Sequence, residues 1–295
     1  MSAIVAIVGR PNVGKSTLFN RLIQRREAIV DAVSGVTRDR HYGKSDWNGV
    51  AFSVVDTGGY VLGGDDSFEK EIDKQVEIVV EEADIIIFVV DVETGITLMD
   101  EDVARLLHRS NKPILLAINK VDNAQRVADT VEFFALGIEK THHISAVNGS
   151  GTGELLDDLV LMMPKQPEVS DTELPRFAVV GRPNAGKSSF INALIGEDRY
   201  IVTDQAGTTR DSIDTTYNRF GFEFNLVDTA GIRRKAKVKE DIEFYSVMRA
   251  LRTIEYADVC MLVFDATRTF DSQVKNIFWL AARNHKGIVI LVNKW

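Results

Sequence analysis

The sequence predicts two tandem α/β domains, each a mainly parallel sheet with one antiparallel edge strand and helices on both faces. The first observation is a repeat: Gly9-Arg-Pro-Asn-Val-Gly-Lys-Ser16 returns in the second half of the chain as Gly181-Arg-Pro-Asn-Ala-Gly-Lys-Ser188. The second is an alternation of short apolar runs with helical patterns, which is typical of parallel sheets. The third is the length of 295 residues, which suits about two domains.

The repeat also predicts where the domains lie. Two further landmarks keep the same spacing as Gly9 and Gly181: Gly35 with Gly207, and Asp56 with Asp228. A constant spacing across separate motifs indicates two copies of one domain. Residues 164–175 carry three prolines and few apolar side chains, which predicts a semi-extended linker. We therefore expect a first domain at 1–163 and a second at 176–295.

The elements of the first copy follow from its apolar runs and helical periodicity. The runs predict strands at residues 3–8, 50–55, 84–90, 113–118 and 141–144. The periodicity predicts helices at about 15–24, 67–82, 98–110, 124–135 and 151–162. Residues 42–48 predict the antiparallel edge strand, because a tight turn at Asn48-Gly49 joins them to the next strand. The second copy repeats the pattern as far as Ile288–Val292.

Charge and cysteine content exclude several classes of protein. The net charge of -8 divides into -10 over residues 1–163 and +2 over residues 164–295. This excludes a uniformly basic nucleic-acid binder and leaves room for a local basic face on the second half. The single cysteine, Cys260, excludes a disulfide framework and favours a reducing compartment, the cytoplasm. No apolar run approaches the roughly 18 residues of a membrane span.

Both copies of the repeated octapeptide fit the phosphate-loop pattern G-x-x-x-x-G-K-[ST] between a strand and a helix. Glycines allow successive N–H groups to line a concavity for phosphates, and the helix N-terminus adds a positive field. The predicted contacts are Gly9, Asn12, Val13, Gly14, Lys15, Ser16 and Thr17, and Gly181, Asn184, Ala185, Gly186, Lys187, Ser188 and Ser189. Lys15 and Lys187 are expected to reach the β- and γ-phosphates, and Ser16 and Ser188 to bind Mg²⁺.

A second motif predicts the base. Asn119-Lys120-Val121-Asp122 follows an apolar run and so lies at the carboxyl end of a strand. The Asp122 carboxylate can accept both the N1–H and the 2-amino group of guanine, a donor pair that adenine lacks. Ser145-Ala146 completes the predicted pocket, with the Ala146 N–H donating to the guanine carbonyl. The alternative for the tetrapeptide is a polar turn after a strand.

Two further elements predict sensors of the third phosphate. Asp56-Thr-Gly-Gly59 and Asp228-Thr-Ala-Gly231 each place a carboxylate near Mg²⁺ and a glycine N–H near the γ-phosphate. Thr37 and Thr209, each before Arg-Asp, offer a hydroxyl to the metal, or alternatively cap a turn. When the γ-phosphate leaves, these contacts are lost and the loops relax, which is typical of a switch.

The order of these motifs resembles that of translation-factor-related GTPases, and the two copies resemble the Der (EngA) family of bacterial ribosome-assembly GTPases. The resemblance implies Mg²⁺-dependent hydrolysis of GTP to GDP and binding to the large ribosomal subunit and its RNA. The opposite charges of the two halves predict a contact between the two domains. That family carries a third, KH-like domain. Here the chain stops at Trp295, after Asn293-Lys294 and before an aspartate. We expect a fragment, or else a second site that selects guanine poorly.

The residues that bear on hydrolysis differ from those of many related GTPases. Many relatives orient water with a glutamine after D-x-x-G, where this chain has Tyr60 and Ile232. We therefore expect intrinsic turnover that is slow or that depends on another element. The resemblance implies that Asn12 and Asn184 hold a potassium ion; alternatively they stabilise the turn of the loop. Two rival charge donors, or simply solvated arginines, follow the switch threonines: Arg38 and Arg210.

The copies differ most after D-x-x-G. Residues 63–69 are acidic, whereas residues 233–239 contain five basic side chains in seven. The basic run is either a solvated loop or a contact for ribosomal RNA or for the acidic first domain. The leading hypothesis is a GTP-hydrolysing switch in large-subunit assembly. The alternatives are a nucleotide-gated scaffold without hydrolysis and an RNA-modification GTPase.

Overall fold

The computed structural model describes residues 3–27, 42–57, 82–164, 174–182, 184–195, 215–227, 243–268 and 272–295. The chain divides into two compact units, one ending at residue 165 and the other beginning at residue 166. This division falls inside the predicted linker. Residues 165–173 lie outside the described ranges, so the exact bounds of domains and linker stay predictions.

The first unit is a six-stranded sheet with helices. Its strands are β1 (Ala3–Val8), β2 (Tyr42–Trp47), β3 (Val50–Asp56), β4 (Ile85–Asp91), β5 (Ile114–Asn119) and β6 (Thr141–His143). Its described helices are α1 (Lys15–Glu27), α2 (Leu98–His108), α3 (Ala124–Asp129) and α4 (Thr152–Met162). The strand order is β2-β3-β1-β4-β5-β6, and every pair is parallel except β2 with β3.

The core of this unit explains why its central strands are apolar throughout. Every residue of β1 and β4 is buried, which requires cover on both faces of the sheet. On one face, Val5 and Ile7 of β1 share a buried cluster with Leu18 and Leu22 of α1. The spacing of four residues places those two leucines on one side of the helix. Each such side chain contributes about 1.5–3 kcal/mol by leaving water.

The second unit repeats the first. Its strands are β7 (Arg176–Val180), β8 (Thr215–Arg219), β9 (Phe222–Val227), β10 (Val259–Asp265) and β11 (Gly287–Asn293). Its described helices are α5 (Lys187–Ile195), α6 (Glu243–Tyr256) and α7 (Ser272–Arg283). The order β11-β10-β7-β9-β8 matches β5-β4-β1-β3-β2, with one antiparallel pair at the β8 edge. The predicted fold class is confirmed.

The spacing between equivalent residues changes within the second unit. From β10 onward, Asp265 corresponds to Asp91 and Asn293 to Asn119, and this spacing is longer by two than the spacing between the phosphate loops. Two additional residues therefore precede β10.

Cys260 is a fully buried residue of β10, as the apolar run predicted. Among the described residues, no helix has the length and apolarity needed to cross a membrane.

One predicted helix is divided in the structure, and another lies almost wholly outside the described residues. The single helix expected at 124–135 is instead α3 followed by a 3-10 helix at Thr130–Leu136. The Thr130 hydroxyl donates to the Val127 carbonyl at 2.6 Å, which competes with the regular ladder of an α-helix. The helix expected at 67–82 lies outside the described residues except for its last position.

The two edge hairpins give a first testable prediction. Their two-residue turns are Asn48-Gly49 and Phe220-Gly221, and all four residues have positive φ. Asparagine tolerates this left-handed conformation, whereas it costs a bulky L-residue about 1–2 kcal/mol. Phe220 is 89% exposed and so has little packing to lose. We expect Phe220→Asn to stabilise the second unit by about 1 kcal/mol in urea unfolding.

The neighbouring Phe222 supplies the control for this turn. It is also exposed, at 68%, but it is a strand residue without positive φ. Phe222→Asn should therefore leave the stability of the unit unchanged or lower it, since asparagine is a poor strand former. Equal effects of the two substitutions would show that backbone strain at Phe220 is not the cause.

Candidate functional site

The phosphate loop of the first unit connects β1 to α1. Gly9, Asn12 and Gly14 have φ values of 150°, 67° and 96°. A Cβ at Gly9 would lie 2.3 Å from the Val89 carbonyl oxygen of β4, so a side chain there would displace backbone. A Cβ at Gly14 would lie 2.2 Å from Nδ2 of Asn119. The glycines are thus required both by conformation and by close approach to the strand ends.

The loop of the second unit has the same conformation. Gly181, Asn184 and Gly186 have φ values of 145°, 62° and 100°. A Cβ at Gly181 would meet the Val263 carbonyl oxygen at 2.4 Å. A Cβ at Gly186 would meet Nδ2 of Asn293 at 2.1 Å. Both loops therefore turn in the same way against an equivalent strand and an equivalent asparagine.

The lysine of each loop is held against carbonyl groups of its own loop. The ammonium of Lys15 donates to the Arg10 carbonyl at 2.8 Å, and that of Lys187 donates to the carbonyls of Gly181 and Arg182. Burial lowers the pKa of Lys15 to about 8, although the nearby Asp56 carboxylate favours the charged form. A phosphate group beside Lys15 would restore the preference for the charged form.

This pKa gives a prediction for pH dependence. Because the pKa of Lys15 lies below its ordinary value of 10.5, free protein has lost part of this charge above about pH 8. Nucleotide phosphates favour the protonated lysine, so binding at about pH 8.5 should take up a proton, and affinity should fall as pH rises. Calorimetry in two buffers of different ionisation enthalpy measures this uptake.

The sign for stability is opposite to that for binding. In the free protein the folded state favours neutral Lys15, so this group adds stability as pH rises from about 8 towards 10.5. Lys15→Arg is the control, because arginine stays charged throughout this range. Proton uptake that is as large in Lys15→Arg as in the parent chain would assign the proton to another group.

Ser16 and Asp56 come together beneath the loop. The Ser16 hydroxyl donates to Oδ2 of Asp56 at 2.6 Å, and the Asp56 carboxylate is buried. A hydroxyl oxygen and a carboxylate oxygen in contact are the type of ligand that Mg²⁺ prefers. The two described residues that are predicted to hold the metal in the first unit thus lie together. No group of three or more His, Cys, Asp or Glu ligands occurs in the described ranges.

The base-reading motif lies at the end of β5. Asn119 is buried and bridges two loops: its Nδ2 donates to the Val13 carbonyl at 2.7 Å, and its Oδ1 accepts from the Ala146 N–H at 2.9 Å. The Asp122 Oδ1 accepts from the Ser145 hydroxyl at 2.6 Å. The structure therefore brings the predicted phosphate loop and base pocket together through a single asparagine.

One contact differs from the expectation. The Ala146 N–H, predicted to donate to the guanine carbonyl, already donates to Asn119. The N–H of Val147, the next residue along the chain, has no hydrogen-bond partner among the described residues, so it is a donor of this loop that remains available.

The side chain of Lys120 is held by two carboxylates at the end of β4 and just after it. Its ammonium lies 2.6 Å from Oδ2 of Asp91 and 3.2 Å from Oε2 of Glu93. The hydrogen bond to Asp91 is the main reason that the pKa of Lys120 is raised. Its backbone has a positive φ of 68°, which directs the chain out of β5 towards Asp122.

The second unit repeats the start of this motif. Nδ2 of Asn293 donates to the Ala185 carbonyl at 2.9 Å, as Asn119 does to Val13. The Lys294 ammonium donates to Oδ2 of Asp265 at 2.9 Å and to the Asn184 carbonyl at 2.7 Å. Hydrogen bonds from Thr267 and then from Lys294 lower the pKa of Asp265 to about 2.

Several predicted site residues lie outside the described ranges and stay predictions: Thr37, Gly59, Thr209, Asp228 and Gly231. The same holds for the residues that bear on hydrolysis and RNA contact: Arg38, Tyr60, Arg210, Ile232 and the basic run at 233–239. Thr17, Ser188 and Ser189 are described at the starts of α1 and α5.

Sequence reasoning missed two arginines beside the base pocket. Arg126 donates from Nη1 to Oδ2 of Asp122 at 3.2 Å and from Nη2 to Oε1 of Glu93 at 2.7 Å. Its position four residues after Asp122 on a helix was a usable signal. Arg21 of α1 donates to the carbonyls of Ala146 and Val147. No local pattern predicts that contact, because the partners lie far apart in the sequence.

Residues 4–120 and 176–294 each match the family model described as "50S ribosome-binding GTPase". The chain is 75% identical to GTPase Der of Christiangramia forsetii over 100% of this chain and 68% of that protein. It is 72% identical to GTPase Der of Flavobacterium johnsoniae, over 99% of this chain and 67% of that protein.

A solved structure of Aquifex aeolicus Era shares 30% identity at a TM-score of 0.46, covering 57% of this chain and 59% of that one. The similarity to the curated proteins covers the whole chain, and the two ranges matched by the family model contain both phosphate loops and the start of each base-reading motif. The chain belongs to the Der family of GTPases.

Proposed function

We propose that this chain is a GTP-hydrolysing switch that acts in assembly of the large ribosomal subunit. One observation gives the main support for a guanine site: Asn119 joins the phosphate loop at Val13 to the loop that contains Ala146. The phosphates and the base of one nucleotide would therefore be held by a single connected structure. The description of the matched family supports the large subunit as the partner. The comparisons do not favour the non-catalytic scaffold or the RNA-modification GTPase.

Each residue of the first site has a proposed task. The loop N–H groups and Lys15 would bind the β- and γ-phosphates and neutralise their charge, and Asp122 would select guanine. Ser16, Asp56 and Thr37 would hold Mg²⁺, as would Ser188, Asp228 and Thr209 in the second unit. The metal supplies positive charge to the phosphate oxygens. Thr37, Thr209, Gly59 and Gly231 would respond to loss of the γ-phosphate.

Potassium is a separate part of the proposal. Asn12 and Asn184 would hold the ion beside the phosphates, where its charge replaces that of an arginine. Their left-handed conformation, with φ of 67° and 62°, gives them a role in the turn as well. GTP turnover in potassium and in sodium separates these two roles. Equal rates in the two salts would show that the two asparagines only stabilise the turn of the loop.

The direct test of the function is co-sedimentation of the chain with purified large ribosomal subunits. We expect binding with a non-hydrolysable GTP analogue and weaker binding with GDP or without nucleotide. A double variant, Lys15→Ala with Lys187→Ala, is the control that should lose the response to nucleotide. Binding that is equal in all nucleotide states would contradict the proposed switch, whereas absence of binding would contradict the partner.

The basic run at 233–239 is the proposed RNA contact, supported by the charge of +2 on the second half against -10 on the first. Replacing Arg233, Arg234 and Lys235 with alanine should weaken subunit binding and flatten its dependence on salt. Unchanged binding would contradict the RNA contact and favour the alternative that this run is a solvated loop. The proposed compartment is the cytoplasm, in which the lone Cys260 would stay reduced.

A further inference from the structure

We propose that Arg21 is a positioning residue that orients the guanine-contacting loop of the first domain. That loop, the base loop, comprises residues 145–150. Arg21 lies on α1, the helix that begins at Lys15 of the phosphate loop. Its Nε donates to the Ala146 carbonyl at 2.5 Å, and its Nη2 donates to the Val147 carbonyl. A rigid guanidinium fork thus grips two successive peptide groups, a task that suits arginine and not lysine.

The planarity of the peptide bond means that holding the Ala146 carbonyl also fixes the direction of the Val147 N–H. The carbonyl of Ala146 and the N–H of Val147 belong to one planar trans peptide and point in opposite directions. With the carbonyl fixed on Arg21, the Val147 N–H is directed away from α1. This N–H has no partner among the described residues, whereas the Ala146 N–H donates to Asn119. We therefore assign the Val147 N–H as a donor to the guanine carbonyl, and Arg21 as the residue that aims it.

The base loop has internal contacts that Arg21 supplements. Ser145 N–H donates to the Ser150 carbonyl at 3.0 Å, and Gly149 N–H donates to the Ser145 carbonyl at 2.7 Å. These bonds close the loop but leave the carbonyls of Ala146 and Val147 to Arg21. The absence of a side chain at Gly149 makes room for the guanidinium, because a Cβ there would lie 2.6 Å from Nη1.

The second domain has no such group at this position. When the two phosphate loops are aligned, Ala193 stands where the first domain has Arg21, and a methyl group cannot donate a hydrogen bond. The support that we assign to Arg21 is thus a property of the first domain. The inference rests on the proposed guanine site at Asp122, since it concerns the second edge of the same base.

The test compares two nucleotides that differ only at the position that the Val147 N–H would contact. GDP has a carbonyl oxygen there, and 6-thio-GDP has a sulfur, which is a poor acceptor. Dissociation rates are measured on the 295-residue chain carrying Lys187→Ala, which disables the second phosphate loop. Arg21→Ala should release GDP about tenfold faster, with less than about a twofold change for 6-thio-GDP.

Two further variants sharpen this test. Arg21→Gln removes the fork but keeps one donor, so it should fall between the parent chain and Arg21→Ala, and it serves if the alanine variant fails to fold. Arg105→Ala removes an exposed arginine that pairs with the exposed Asp102 on α2, and it should leave both rates unchanged. Asp122→Asn in the same background tests the guanine site itself, so failure of that proposal is recognised separately.

Equal acceleration of GDP and 6-thio-GDP release in Arg21→Ala would show that Arg21 only stabilises the packing of the loop on α1. Unchanged GDP release would show that the base loop needs no support from Arg21. Either outcome overturns the inference.

Discussion

Asp122→Asn is expected to lower the affinity of the first domain for GDP by about 100-fold or more and to allow xanthosine diphosphate to bind. The carboxylate would accept two donors from guanine, each in a charge-assisted bond worth about 1.5–3 kcal/mol. An asparagine amide would present its own N–H₂ to the guanine 2-amino group, donor against donor. Xanthine has a carbonyl at that position, so the same amide becomes complementary to it. Competition with a fluorescent nucleotide measures both affinities.

The substitution is conservative enough to isolate recognition from folding. The Asp122 side chain is 43% exposed, and an asparagine oxygen can still accept from Ser145 or from Arg126. Asp102→Asn is the matched control, since Asp102 is an exposed carboxylate that pairs with Arg105 on α2. GDP affinity that is unchanged in Asp122→Asn would remove this residue from base recognition.

Asn119→Ala is expected to lower both the stability of the first domain and its affinity for nucleotide. Both ends of this buried amide are bonded, to the Val13 carbonyl and to the Ala146 N–H. Alanine leaves these two backbone groups without their partner, at a cost of about 1–3 kcal/mol each. The expected loss is therefore about 2–6 kcal/mol of unfolding free energy. Hydrogen exchange of amides in β1 and β4 during urea unfolding measures it for this domain.

Asn111→Ala is the control, because Asn111 is exposed and precedes β5 without joining the two loops. Asn293→Ala supplies a second comparison, since its described contact is the bond to the Ala185 carbonyl at 2.9 Å. We expect a smaller loss there than at Asn119. A negligible effect of Asn119→Ala on nucleotide affinity would mean that the two loops do not depend on each other.

Local chemistry explains how much of this molecule could be predicted from its sequence. The phosphate loops were predictable because a strand, two glycines and a lysine at fixed spacing have one structural use. The Asn48-Gly49 hairpin and the antiparallel strand β2 were predictable because only such turns match the twist of paired strands. The prediction that the chain is a GTPase of the Der family is confirmed by comparison with its relatives.

Contacts between distant segments were not predictable. Arg21 contacts a base loop that lies 125 residues further along the chain, and the sequence near Arg21 does not indicate that contact. The same applies to Asn119, which accepts a hydrogen bond from the Ala146 N–H that was expected to donate to guanine. The break between α3 and the following 3-10 helix coincides with Thr130, whose hydroxyl lies 3.1 Å from Nε2 of His143 on β6. Tertiary context decided each of these.

Calorimetry of GTP and ATP binding to this chain in the presence of Mg²⁺ tests the account most directly. The two nucleotides carry the same triphosphate, so they differ only in the base that Asp122 is proposed to recognise. We predict that GTP binds at least about 100-fold more tightly than ATP, because adenine lacks the donor pair that a carboxylate accepts. Equal affinity for the two nucleotides would contradict the proposed guanine site.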